Sequence, residues 1–197
     1  ELKNTMIYVT HDQIEAMTLG DRICVMRDGL IEQVGEPTQV FDYPASLFVA
    51  RFIGTPPMNI FEGTIVQEGD DLVFDGDILR APIVKSQRDR VRPLLGKKAC
   101  LGLRPRAFVM KDQATPEQQQ IIFKGDIEVS EMLGEEVLAH VVAGGHRFII
   151  SLDPHAMAKI DGGIEVCPVM ERAHVFDAES EQNLTLPEGI KPGGDVF

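Results

Sequence analysis

Hydrophobic residues are spaced in two ways along this chain, and the change falls near residue 54. Before it, apolar runs alternate with helical periodicities. Met6-Ile7-Tyr8-Val9 has no polar alternation and predicts a strand covered on both faces, as in a parallel sheet. His11 follows at the carboxyl end, where ligands of open α/β sheets sit. Gln13 to Leu19 predicts a short helix with Ile14, Met17 and Leu19 on one face, Asp12 as N-cap and Gly20 as C′ stop. Arg22 to Arg27 predicts a strand, and Asp28-Gly29 a two-residue turn into Leu30 to Val34. Pro37 opens a helix carrying Val40 and Phe41, and Ser46 caps another carrying Leu47, Phe48, Phe52 and Ile53.

Gly54-Thr55-Pro56-Pro57-Met58-Asn59 cannot continue a helix and predicts an extended link at 54–59. From Ile60 the pattern becomes many short strands: 60–66, 72–74, 78–81, 99–103, 108–110, 121–132, 137–143, 148–152 and 164–170. Turns at Gly69-Asp70, Asp75-Gly76, Gly144-Gly145 and Asp161-Gly162-Gly163 punctuate them. This texture predicts a small OB-like β-barrel or sandwich over 60–184. The fold class expected is mainly β, with a small α/β remnant at 1–53. Asp153-Pro154 begins a short helix expected to reach Ile160, and 185–197 read as a loose tail rich in glycine and proline. No convincing internal repeat is visible; a weak one is compatible with the two glycine-turned β blocks.

Composition narrows the function. The 197 residues carry a formal net charge of −12, which argues against nucleic acid as a partner and gives no support for attraction to anionic lipid. No apolar run approaches the roughly 20 residues of a membrane helix, so direct membrane insertion is not expected. No charged-then-apolar leader is seen, and a chain opening at Glu1 reads as a fragment or a processed product. Cys24, Cys100 and Cys167 each sit among aliphatic neighbours and are expected to be buried, reduced thiols. His140, His146, His155 and His174 lack metal-site spacing and read as scattered surface or strand histidines, so no metal site is expected. Six cations between Lys85 and Lys98 read as a solvated loop, with a docking patch as the sharper alternative.

The segment from Tyr8 to Asp21, YVTHDQIEAMTLGD, resembles the switch-histidine region of ATP-binding cassette (ABC) transporter ATPases of the sugar-importer branch. The likeness continues through MTLGDRICVMRDGLIEQVGEPTQVFDYPASLFVARFIGTPPMNIFEGTI. LGLRPRAF at 101–108 and HVFDAESEQNL at 174–184 resemble elements of the transport-associated OB (TOBE) domain of those proteins. The resemblance implies that His11 contacts the γ-phosphate of ATP in the intact protein, with Mg2+ at that site. It implies a homodimer, transmembrane permease subunits as partners, a regulatory protein as a further partner, and a cytoplasmic location on the inner face of the membrane. Arg106 departs from the pattern, where such proteins usually carry glutamate.

The chain contains no G-x-x-x-x-G-K-[ST], no LSGGQ and no acidic Walker B strand. His11 is therefore an orphan, and the chain alone is expected to hold no cofactor and hydrolyse no ATP. The expected identity is the C-terminal part of an importer ATPase subunit with its regulatory domain. The rival is a stand-alone OB-like module binding a small anion or a partner protein. No basic cluster convergent in sequence supports the anion version.

Overall fold

The computed structural model describes residues 5–157 and 163–190. Near the N-terminus, β1 (Ile23–Arg27) and β2 (Leu30–Gly35) form an antiparallel hairpin. Asp28 and Gly29 both take positive φ, 52° and 82°, as a two-residue type I′ turn requires. Around the hairpin lie α1 (Gln13–Leu19), α2 (Pro37–Asp42) and α3 (Leu47–Phe52). Ile23, Val25, Val40, Val49 and Ile53 form their small core. The caps are those the sequence predicts: Asp12 accepts from the amides of Ile14 and Glu15, and Ser46 Oγ from that of Val49.

Four expectations fail here. Met6–Val9 is not a strand: Met6, Ile7 and Val9 are 87%, 88% and 88% exposed, because among the described residues no strand lies beside them to pair their amides. Ile14 and Leu19 face solvent, and α1 packs through Ala16 and Met17 instead. Cys24 is exposed, since strand alternation buries its neighbours Ile23 and Val25; Cys100 and Cys167 are buried as expected. Gly20 ends α1 in an extended conformation, not a left-handed one.

The rest is built on two five-stranded antiparallel sheets. One has the order β12 (His174–Asp177), β6 (Lys98–Leu103), β3 (Asn59–Glu68), β4 (Asp71–Gly76), β5 (Arg80–Pro82). The other has the order β7 (Phe108–Met110), β11 (Gly163–Pro168), β8 (Phe123–Met132), β9 (Val137–Ala143), β10 (His146–Leu152). The plan is the same in both. A ten-residue strand leads a meander of three, a fourth strand returns to pair with the first, and a short fifth strand closes on the fourth. The fifth strands are exchanged. After β6 the chain crosses to give β7 to the second sheet, and after β11 it crosses back to give β12 to the first. The two crossovers touch, the amide of Val169 donating to the carbonyl of Ala107 at 2.9 Å. The weak repeat is thus a structural one, in which each lobe is completed by a strand from the other half.

One core serves both lobes. Phe61 of β3, Phe108 of β7, Phe123 of β8 and Phe148 of β10 stack with ring centres 5.2–5.9 Å apart, surrounded by Leu101, Val141, Ile150 and Val166. Gly63 is obligatory: a Cβ there would lie 2.7 Å from the Asp75 carbonyl and 2.6 Å from the Phe74 ring.

The basic segment is not a simple solvated loop. It forms α4 (Arg88–Val91) flanked by single 3-10 turns, and Val91 and Leu94 are buried in the shared core while Lys85, Arg92, Lys97 and Lys98 are exposed. Gln87 is buried and donates to the Ala173 carbonyl at 3.1 Å, and Arg88 pairs with Asp71 at 2.5 Å. The expected loose tail is likewise held at its start: Thr185 and Leu186 are buried, and Arg90 donates to the Leu186 carbonyl. Residues 191–197 lie outside the described residues, as do the end of the helix expected to reach Ile160, which is seen as α5 (Pro154–Met157), and Asp161-Gly162 of the expected turn.

Candidate functional site

His11 sits on an exposed bend between Thr10 and α1 and makes no hydrogen bond or ion pair among the described residues. Its backbone is nevertheless fixed by the neighbours. Thr10 Oγ1 accepts from the Asp12 amide at 2.9 Å and donates to Glu15 Oε2 at 2.8 Å, while Asp12 caps the helix. This is a capping box with a threonine inserted into its return arm. The two carboxylates beside His11 have the wrong sign for a polyphosphate. These residues alone do not fit a nucleotide, and no step through ATP or Mg2+ is derived from them. Among the described residues no group of three or more His, Cys, Asp or Glu is placed to hold a metal ion.

Gln13, two residues after His11, reaches across to the far end of α3. Its Oε1 accepts from the Gly54 amide at 3.0 Å, and its Nε2 donates to the Phe52 carbonyl. The same helix end is also gripped by Arg104, which leads the first crossover out of β6. Arg104 Nη1 donates to the carbonyls of Ile53 at 2.5 Å and Ala50 at 3.2 Å, and Nη2 to that of Phe41 at 2.8 Å. Its guanidinium carbon lies 4.2 Å from the centre of the Phe41 ring. One cation thus closes the carboxyl ends of both α2 and α3, where unpaired carbonyls and the helix dipoles favour positive charge. Burial pushes the Arg104 pKa down to about 10, with Asp42 opposing, and Nε is buried without a partner.

Beside this clamp lies a second buried polar group. His174 on β12 is 8% exposed, with Nδ1 3.3 Å from Asn183 Nδ2, which also donates to the Pro44 carbonyl. Burial, then the charge of Arg104, pushes the His174 pKa down to about 4, against a hydrogen bond with the Asp42 backbone. The imidazole is therefore neutral at pH 7, and it is no surface histidine. An apolar joint of Leu47, Ala50, Met58, Cys100 and Phe176 backs the polar one. Between them they bind the helical unit to the strand-exchanged lobes.

The structure does not bring His11 to these residues directly; Gln13 and α1 stand between. Sequence reasoning missed Gln13, Arg104 and His174 as a constellation. The signal available for Arg104 was its place in LGLRPRAF, between the end of a strand and Pro105. Arg106, the departure, forms an exposed ion pair with Glu136, Nη2 to Oε2 at 3.0 Å, and Ser151 donates to the same oxygen at 2.7 Å. These contacts hold the Glu136 carboxyl below its usual range, Ser151 being the larger cause.

The strand-exchanged lobes have an OB-like architecture. Residues 54–108 match the family model of the MalK OB fold domain. The chain as a whole is similar to ABC transporter ATP-binding proteins. It is 40% identical over 185 residues to the uncharacterized ABC transporter ATP-binding protein YurJ of Bacillus subtilis, covering 92% of this chain and 50% of YurJ. It is 36% identical to the osmoprotective compounds uptake ATP-binding protein GgtA of Synechocystis, over 92% of this chain and 49% of that one. It is 36% identical to the sn-glycerol-3-phosphate import ATP-binding protein UgpC of Shigella boydii, over 93% and 49%. The chain spans about half the length of the curated relatives it matches.

Proposed function

We propose that this chain is the C-terminal part of the ATP-hydrolysing subunit of an ABC importer for sugars or related small solutes. Residues 1–53 are the end of its nucleotide-binding domain, 54–59 the link, and 60–184 the OB-like regulatory domain. In the intact protein His11 reads the γ-phosphate of ATP bound with Mg2+, two copies close on nucleotide, and permease subunits in the membrane respond. The protein works in the cytoplasm, peripheral to the membrane. The regulatory domain holds the dimer and receives a regulatory protein. The observation that carries the reading is the similarity to ABC ATP-binding proteins over 92% of the chain. The junction supports it physically: Gln13 and Arg104 both grip one helix end, so a displacement of the His11 bend reaches β6 through hydrogen bonds.

The test is ATP turnover. The isolated chain should hydrolyse none, and the same chain joined to its upstream reading frame should hydrolyse ATP in a manner abolished by His11→Ala. Turnover by the isolated chain that survives purification and is lost in His11→Ala would sink the assignment. So would an upstream frame without a phosphate-binding loop.

A further inference from the structure

Two arginines and a histidine converge at one place that the importer reading leaves unused. A cavity of about 400 Å³, open to solvent on one side, lies between the end of α3 and the sheet containing β9 and β10. Its polar walls are Arg51 of α3, His140 of β9 and Arg147 of β10, and its apolar walls include Met58 and Ile60. These residues come from four separate stretches of sequence, which is why the sequence shows no cluster at this place.

Charge sets the ligand. No carboxylate is among the lining residues, although the chain carries a net charge of −12. Arg147 is held bidentately by Glu128, at 2.8 and 3.0 Å, and His140 Nε2 lies 3.0 Å from Glu131 Oε1. Both acids project from β8, outside the cavity, so they orient the two side chains without filling the space. Arg51 makes no hydrogen bond or ion pair among the described residues and is the donor left free. Asn59 offers nothing to compete with it. Its amide is spent on the backbone of Ile149, accepting from N at 2.8 Å and donating to O at 2.7 Å, and this fixes the cavity floor. Planar guanidinium forks pair with carboxylate and phosphate oxygens, and a volume of this size admits a small molecule beyond the anion itself.

We propose that this cavity binds a small organic anion, a phosphate monoester or carboxylate carried on an apolar body, with Arg51 as its principal anchor. The anion sits against Arg51 and His140, and the apolar part covers Met58 and Ile60. Because Arg51 belongs to α3 while His140 and Arg147 belong to the second sheet, an occupant joins the helix to that lobe. The inference does not depend on ATP hydrolysis and is tested on the chain by itself.

Phenyl phosphate, inorganic phosphate and benzyl alcohol are titrated into the 15N-labelled chain and followed by amide chemical shifts. Phenyl phosphate is expected to shift Arg51, Asn59, Ile60, His140 and Ile149 saturably, and the other two probes to bind more weakly. Arg51→Gln is expected to weaken phenyl phosphate about tenfold, the loss of one charge-assisted hydrogen bond, with no change in melting temperature. Equal binding of benzyl alcohol would reduce the cavity to an apolar cleft. Equal binding of inorganic phosphate would remove the apolar body from the proposal. Shifts mapping elsewhere, no saturable shift at millimolar probe, or unchanged affinity in Arg51→Gln would overturn the site outright.

Discussion

Replacing Arg104 with methionine should loosen the helical unit from the strand-exchanged lobes. Methionine keeps an apolar stem against Phe41 but leaves the carbonyls of Phe41, Ala50 and Ile53 without their donor. An acceptor stripped of its partner in a buried place costs about 1–3 kcal/mol, so three cost roughly 6 kcal/mol, and the lost ring contact adds about 1 kcal/mol. Against this, a guanidinium whose pKa has fallen from 12.5 to about 10 returns about 3 kcal/mol when it is removed. The net loss is about 4 kcal/mol, a large share of the stability of an ordinary domain. It should be local. Native-state hydrogen exchange should speed up by about a thousandfold at the amides of Tyr43, Ala50 and Ile53, which bond within α2 and α3. The amides of β9 and β10 should keep their protection. Arg104→Lys should recover less than half of the loss, since one ammonium cannot bridge two helix ends. A uniform fall in protection across both lobes, or a loss below about 1 kcal/mol, would refute the clamp as the link between the units.

Other outcomes follow from the same structure. His174 is buried neutral, with its pKa lowered from 6.5 to about 4, so between these values the unfolded chain binds the extra proton. Its contribution is full above pH 6.5 and is lost as pH falls towards 4, about 3 kcal/mol in all; denaturant titrations across this range should show that slope, and His174→Gln should flatten it. Gly63→Ala should cost about 1–3 kcal/mol in thermal or chemical unfolding, because the new methyl meets the Asp75 backbone. Residues 6–10 should exchange their amides without protection in a dilute solution of the chain, and strong protection there would mean that they have found a partner strand.

Much of the local structure was determined by sequence alone. The Asp28-Gly29 turn, the Asp12 and Ser46 caps, the Pro37 helix start and the strands from 59 to 168 depend on backbone preferences and alternation within a few residues. Family resemblance is carried by contiguous motifs and was legible for the same reason. What only the tertiary structure decided involves partners distant in the chain. Met6–Val9 has the composition of a central strand, yet a strand exists only beside another, and the described residues place none there. His174 and Cys24 have similar aliphatic neighbours, but one is buried under the Asp42–Pro44 turn and the other faces solvent. Periodicity marks β7 and β12 as strands but does not say that each completes the other lobe, because pairing is fixed by where the crossovers pass. Arg104 and Arg51 look alike as surface cations in sequence. One is spent on three carbonyls contributed by residues 41 to 53, and the other is left with its charge free over a cavity, a distinction made only by the packing of helices against sheets.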